Sequence, residues 1–217
     1  LLEQDYGRLT DQTHLAQAAL DLLPDQPEAL AAALYCELLG GDREAAARLR
    51  ARLFEIAPDV AEQMSGTLPR SEPQTALAWF VRGLRMIEQG HTSGEPTAFE
   101  AAARALRHAM DRAPAPRSIY HCQLLHALMH LRDPGAIRAL ADDVRHRWPD
   151  SPFAAYWCGF ALVDVDAELA AGELQRAIDS APGLPQPHAR LGRLHELAGR
   201  TQEAAACYRR ARDLAPK

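Results

Sequence analysis

Proline recurs in this chain at a spacing that few folds can use. A small or aliphatic residue is followed five positions later by proline at Ala19…Pro24, Leu53…Pro58, Ala109…Pro114, Val144…Pro149, Ala177…Pro182 and Ala211…Pro216. Successive prolines stand 34, 56, 35, 33 and 34 residues apart. Proline cannot continue a helix and pushes the residue before it toward extended backbone, so each one reads as the close of a helical segment. A 34-residue period closed in this way is that of a helix–turn–helix solenoid.

The last unit, LPQPHARLGRLHELAGRTQEAAACYRRARDLAP over residues 184–216, carries the pattern most fully. Gly192 and Ala204 are small where two helices would approach closely, and Gly199 supplies the turn, which favours positive φ. Tyr208 and Ala211 lie three apart on one helical face, placed to pack against a following unit. With Leu191-Gly192, Gly199, Ala204, Tyr208, Ala211 and Pro216 in these places, the unit resembles a tetratricopeptide repeat (TPR) of the bacterial type. The resemblance extends to 151–182 through Ala155, Gly159, Ala170 and Ala177, with one residue missing in the turn, and to 76–90 through Trp79, Gly83 and Gly90. It is weakest at 118–149, where Leu125 replaces the small residue and Arg132 the turn glycine. It implies an all-α, right-handed helix-turn-helix solenoid of about eleven helices.

Residues 1–24 superpose on 193–216: Gly7-Arg8 falls on Gly199-Arg200, Leu2 on Leu194, Ala19 on Ala211 and Pro24 on Pro216. The chain then begins inside a first helix, as expected of a piece of a longer repeat protein forming a single superhelical domain over 1–217. The pattern predicts helices at about 10–23, 27–40, 42–57, 73–89, 97–113, 117–131, 134–148, 152–164, 167–181, 185–198 and 201–215. The 56-residue interval holds one unit plus an insertion of about 22 residues within 59–97. Part of it, 59–73, reads as loop or a short extra helix, and 89–97 as a lengthened turn. Either part is a tolerated surface loop or a feature that bends the superhelix or touches a partner.

Composition narrows the function classes. Apolar residues make up 47% and charged residues 24%, which is globular rather than disordered. A net charge of −5 speaks against a general nucleic-acid binder. No apolar run approaches the ~18 residues of a membrane span. Residues 1–24 show no signal peptide, so the expected location is cytoplasmic, although a start inside a helix is compatible with a signal already removed. Cys36, Cys122, Cys158 and Cys207 are far apart, form no CxxC pair and read as buried or half-buried reduced thiols.

The resemblance also implies where a partner would sit. Units stack because none buries its apolar face alone, and their first helices line a concave groove. The lining positions carried over from the repeat are Glu28, Ala31, Ala32, Tyr35 and Leu38 in the first complete unit, and Leu77, Phe80, Val81, Leu84 and Ile87 in the next. Ile119, Cys122, Gln123, His126, Met129 and His130 follow, then Phe153, Tyr156, Trp157, Phe160, Val163 and Asp164, and finally Gln186, Ala189, Arg190, Arg193 and Glu196. The stretch FAAYWCGF at 153–160 places four aromatics at i, i+3, i+4 and i+7 in a chain that is only 6% aromatic. Such a stripe is either packing or a ligand-facing patch. Here Ala155, Cys158, Gly159 and Leu162 already occupy the ordinary core positions. Arg190 and Arg193 are either donors for a carboxylate or phosphate or part of a solvated face. Two groove chemistries of similar repeats, an Asn/Lys clamp on acidic tails and an asparagine ladder along a peptide backbone, are closed to a chain with no Asn and the single Lys217.

Motifs for catalysis are missing: no phosphate-binding glycine loop, HExxH or GxSxG. In HCQLLHALMH, 121–130, Cys122, His126 and His130 share a helix face. The outer two are about 12 Å apart, so one ion could take at most two of the three and would need help from another helix. These residues read as groove lining or satisfied histidines, no cofactor or metal is expected, and a Cys122–His thiolate dyad is a remote alternative. Asp142-Asp143 and Asp164–Asp166 read as caps or solvated groups. The expected function is a non-catalytic protein- or peptide-binding adaptor, with no nucleic-acid partner. The site residues are Phe153, Tyr156, Trp157, Phe160, Gln123, His126, His130, Arg190 and Arg193. The alternatives are a substrate-recruiting arm of a larger enzyme such as a transferase, or a structural module that forms a homo-oligomer through its exposed repeat ends.

Overall fold

Capping residues decide where the helices begin. In the computed structural model, Asp42, Thr75, Asp133, Ser151 and Asp166 each accept a hydrogen bond from a backbone N–H two or three residues ahead, at 3.0–3.2 Å. These bonds satisfy donors that a helix start otherwise leaves unpaired. Proline stands in the first turn of five helices, at Pro58, Pro96, Pro134, Pro152 and Pro185, two of them also capped by Asp133 and Ser151. Pro58 therefore starts a short helix, whereas Pro114, Pro149 and Pro182 lie just after helix ends as the period predicts.

The structure describes residues 18–40, 42–65 and 71–214. Among them a helical stretch at 18–22 precedes α1 (Pro27–Gly40), α2 (Arg43–Ile56), α3 (Pro58–Gln63), α4 (Ala76–Ser93), α5 (Pro96–Arg112) and α6 (Ser118–Leu131). Then come α7 (Pro134–Arg147), α8 (Pro152–Leu162), α9 (Ala167–Ser180), α10 (Pro185–Leu197) and α11 (Thr201–Leu214). No strand occurs among the described residues. Most of the 10–23 helix, the superposition of 1–24 on the last unit, and the Pro216 terminus lie outside the described residues.

Consecutive helices pair as α1/α2, α4/α5, α6/α7, α8/α9 and α10/α11; from α4/α5 onward each pair packs on the next, and the first pair is linked to α4 largely through α3. Small residues set the close approach within pairs. A Cβ at Gly159 would lie 2.7 Å from Leu174 Cγ, and one at Gly83 would lie 2.7 Å from Leu106 Cγ. At Gly192 the neighbours are the Tyr208 ring at 3.0 Å and Cys207 Cβ at 3.2 Å. Tyr208 thus packs against Gly192 within its own unit and stays 39% exposed. Where the weakest repeat puts arginine for glycine, Arg132 adopts φ 53°, the left-handed conformation that the turn requires. Leu125 in that unit is fully buried.

One apolar core runs from Ile87 and Phe99 through Leu125, Val144, Leu162 and Leu174 to Leu191 and Leu194. A second, centred on Leu30, Leu34, Leu53, Val60 and Met64, joins the first pair to α4 through Ala78 and Val81. A buried carboxylate also bridges neighbouring units. Glu173 on α9 accepts from Arg145 Nε on α7 at 2.8 Å and pairs with Arg176, which also donates to the Pro149 carbonyl.

The inserted segment departs from expectation at its second half. Residues 58–63 form α3, whose Asp59 accepts from the N–H groups of Gln74 and Thr75 and whose buried Gln63 accepts from Arg82 Nε at 2.8 Å. Residues 89–93, however, are no turn. Helix α4 continues to Ser93 and ends on Gly94 at φ 72°. Gly90, matched to the repeat's turn glycine, instead sits mid-helix against the Phe99 ring, 2.7 Å from where its Cβ would be. The opposite change occurs in α8, which ends at Leu162 instead of near 164, as the missing turn residue requires.

Candidate functional site

The first helices α1, α4 and α6 enclose a cavity of about 780 Å³. Its walls are mainly apolar: Ala31, Leu77, Phe80, Val81, Leu84 and Ile119. Tyr120 stacks on Phe80 with centroids 4.5 Å apart. The charged residues of the lining are Glu28, Arg50, Arg85, Glu88 and Arg117, with Arg117 paired to Glu28 at 3.2 Å across the α1–α6 side. Beside the cavity, α4 meets the first pair largely through α3, whereas further along α6 packs directly on α8.

The sequence-derived groove residues fall in three places. Gln123 lines the large cavity. Phe153 is 39% exposed and Tyr156, Trp157 and Phe160 are half-buried, while Ala154, Ala155, Cys158, Gly159, Ala161 and Leu162 beside them are buried. The four rings form a continuous set with centroids 5.7–6.3 Å apart. The arginines are less available than their spacing suggests. Arg190 lies over the Phe160 ring at 3.7 Å, and Arg193 pairs at 2.8 Å with Glu196, which also accepts from the Tyr208 hydroxyl. Cation–π stacking still leaves the Arg190 edge able to donate.

Cys122, His126 and His130 share one face of α6, but Cys122 is inaccessible on it. Cys122 is fully buried, and burial drives its thiol well above the usual range, which disfavours a thiolate there. The group that joins His126 and His130 is His91, on the extra turn of α4, and the ligating nitrogens of the three lie within 4.8 Å of one another. His91 Nε2 is 3.3 Å from His126 Nε2, and His126 also lies against Trp157, centroids 5.3 Å apart. Burial, then His91, His130 and Arg190, push His126 down to about 4. Burial and His91 also lower His130. His91 went unnoticed in the sequence because its reach depends on the helix passing Gly90. Of the acidic pairs, Asp166 caps α9, while Asp142 and Asp143 pair with Arg145 and Arg147.

Paired helices, small residues at each close approach, left-handed turn residues and a groove along the first helices define an all-α tetratricopeptide-like solenoid. Solved structures agree on the fold. The chain is similar to MamA 41-end from Desulfovibrio magneticus RS-1 at 15% identity and a TM-score of 0.53, covering 87% of this chain and 94% of that one. It is also similar to a chain of the APC/C hetero-tetramer Cut9–Hcn1 at 14% identity and a TM-score of 0.56, covering 98% of this chain and 38% of that one. No protein-family model and no curated protein matches the sequence. No described helix is long and apolar enough to cross a membrane.

Proposed function

We propose that this chain is a binding module that holds an extended or helical segment of a protein partner along the first-helix groove. The observation that carries this reading is the apolar cavity of about 780 Å³ across α1, α4 and α6. A cavity of that size, mainly apolar with a few charged residues in its lining, suits side-chain anchors from a peptide whose orientation is set by those charges. The Phe153–Phe160 stripe supports a second anchoring zone further along the same groove, linked to the cavity by the Gln123–His130 face of α6. Aromatic rings fixed by one another supply contact area at small entropic cost. The arrangement suits an adaptor that presents a preformed surface and needs no chemistry of its own.

Peptide display against the full chain tests this. Selected peptides should share apolar anchors. Their binding, read by fluorescence anisotropy, should fall at least about tenfold in Leu84→Arg, which puts a charge into the cavity wall. A folded Leu84→Arg variant, checked by circular dichroism, that binds every selected peptide as wild type does would refute the reading.

A further inference from the structure

The extra turn of α4 has a consequence for chemistry. Had the helix stopped at Gly90, His126 and His130 would face the groove as an isolated pair one helical turn apart. Because it runs on to Ser93, His91 reaches over from the neighbouring unit and completes a cluster of three imidazoles. Their orientations are held from behind. The Phe99 ring fills the space left by the absent side chain of Gly90. It stacks flat on His130 at 4.2 Å and 9° and meets His91 edge-on at 5.4 Å. Trp157 backs His126.

We propose that His91, His126 and His130 form a three-histidine site for a divalent transition-metal ion of the zinc class. Zinc–imidazole bonds of about 2.1 Å in tetrahedral geometry place ligand nitrogens about 3.4 Å apart. His91 Nε2 and His126 Nε2 are already 3.3 Å apart, and the third nitrogen, within 4.8 Å, comes into range by side-chain torsion. Metal ligation needs neutral imidazoles, the majority form of an ordinary histidine at neutral pH. The donor set is nitrogen only, which selects zinc, nickel or copper over the oxygen-seeking magnesium and calcium. His91 and His130 are exposed and border a depression of about 280 Å³ beside Gly94 and Phe99, which gives the ion a route in and leaves a fourth position open. Bound there, the ion would staple α4 to α6 between the large cavity and the aromatic stripe.

The test is isothermal titration of the EDTA-stripped full chain with ZnCl2, repeated on His91→Gln and with excess MgCl2 present. His91 is exposed near the end of α4, so His91→Gln leaves the core intact, and circular dichroism confirms its fold. The expected result is one saturable Zn2+ per chain, unaffected by Mg2+, with affinity at least about a hundredfold weaker in His91→Gln. Zinc should also raise the unfolding temperature of wild type and not that of the variant. Binding that is absent, or equally tight in wild type and His91→Gln, overturns the proposal.

Discussion

The pairing of α8 with α9 depends on one missing methyl group, and this can be measured against an internal control. At Gly159 an alanine Cβ would meet Leu174 Cγ at 2.7 Å and two backbone atoms, the Ala170 carbonyl oxygen and the Leu174 nitrogen, at 3.0 Å. A side chain can swing aside; the backbone of the facing helix cannot without moving the whole pair. Overpacking of this kind costs about 1–3 kcal/mol, and a Gly→Ala change in a helix returns about 1 kcal/mol. Rigid contacts put Gly159→Ala toward the costly end, a net loss of about 2 kcal/mol. Gly172 sits in the partner helix α9 with nothing within 4 Å of its missing Cβ, so Gly172→Ala keeps only the helical gain of about 1 kcal/mol. The two variants should differ by about 3 kcal/mol, or about 6–12 °C in unfolding midpoint for a chain of this length. Thermal and urea unfolding, each followed by far-ultraviolet circular dichroism and tryptophan fluorescence, would measure this, since two probes reveal whether the array unfolds as one unit. Shifts of the same sign in both variants, or a Gly159→Ala protein as stable as wild type, would refute the close-approach argument.

Three further outcomes follow from particular residues. Arg132 holds a left-handed backbone at φ 53°; Arg132→Gly should relieve that cost and stabilise the chain by about 1 kcal/mol in urea unfolding, and a destabilised variant would contradict it. The Cys122 and Cys158 thiols are buried and raised, Cys158 up to about 12, whereas Cys207 is only half-buried. An aromatic disulfide reagent should therefore label Cys207 before either of them, and early labelling of Cys122 would show the core description wrong. His126 is depressed from 6.5 to about 4 in the folded chain, so the unfolded chain takes up its proton first as pH falls. The stability it contributes is complete above about pH 6.5 and drains away toward pH 4. The drop in urea midpoint between about pH 7.5 and 5 should be smaller in His126→Phe than in wild type, and equal drops would argue against a depressed His126.

The residues that announced themselves in the sequence are those whose local chemistry admits few alternatives. The prolines fixed the period because proline interrupts a helix beyond its first turn. Gly159 and Gly192 marked close approaches because a Cβ there would crowd Leu174 or Tyr208 at 2.7–3.0 Å. The aromatic stripe was visible because its neighbours Ala155, Cys158 and Leu162 already supplied the core. Two features were not legible. Gly90 and Gly94 are both suitable turn residues four apart, and the repeat register selects the first. The helix runs to the second because glycine at 90 does not stop it and serves to admit Phe99. The presence of His91 beside His126 rests on that one turn. The depth of the α1–α4–α6 cavity was also hidden. Leu77, Phe80, Val81 and Leu84 read as groove positions, but the cavity they line lies beside the place where α3 stands between the first pair and α4, a tertiary spacing that no periodicity encodes.

The most direct test of the groove reading is site-specific photocrosslinking. A benzophenone side chain would be placed in turn at Leu84 in the cavity wall, at Phe153 on the aromatic stripe, and at Phe54, a 55% exposed residue of α2 outside the cavity lining. Each variant would be illuminated in lysate of the cells that make the protein. The account predicts that positions 84 and 153 capture one shared partner and that position 54 captures none of it. Capture of that partner from position 54, with neither groove position reacting, would contradict it.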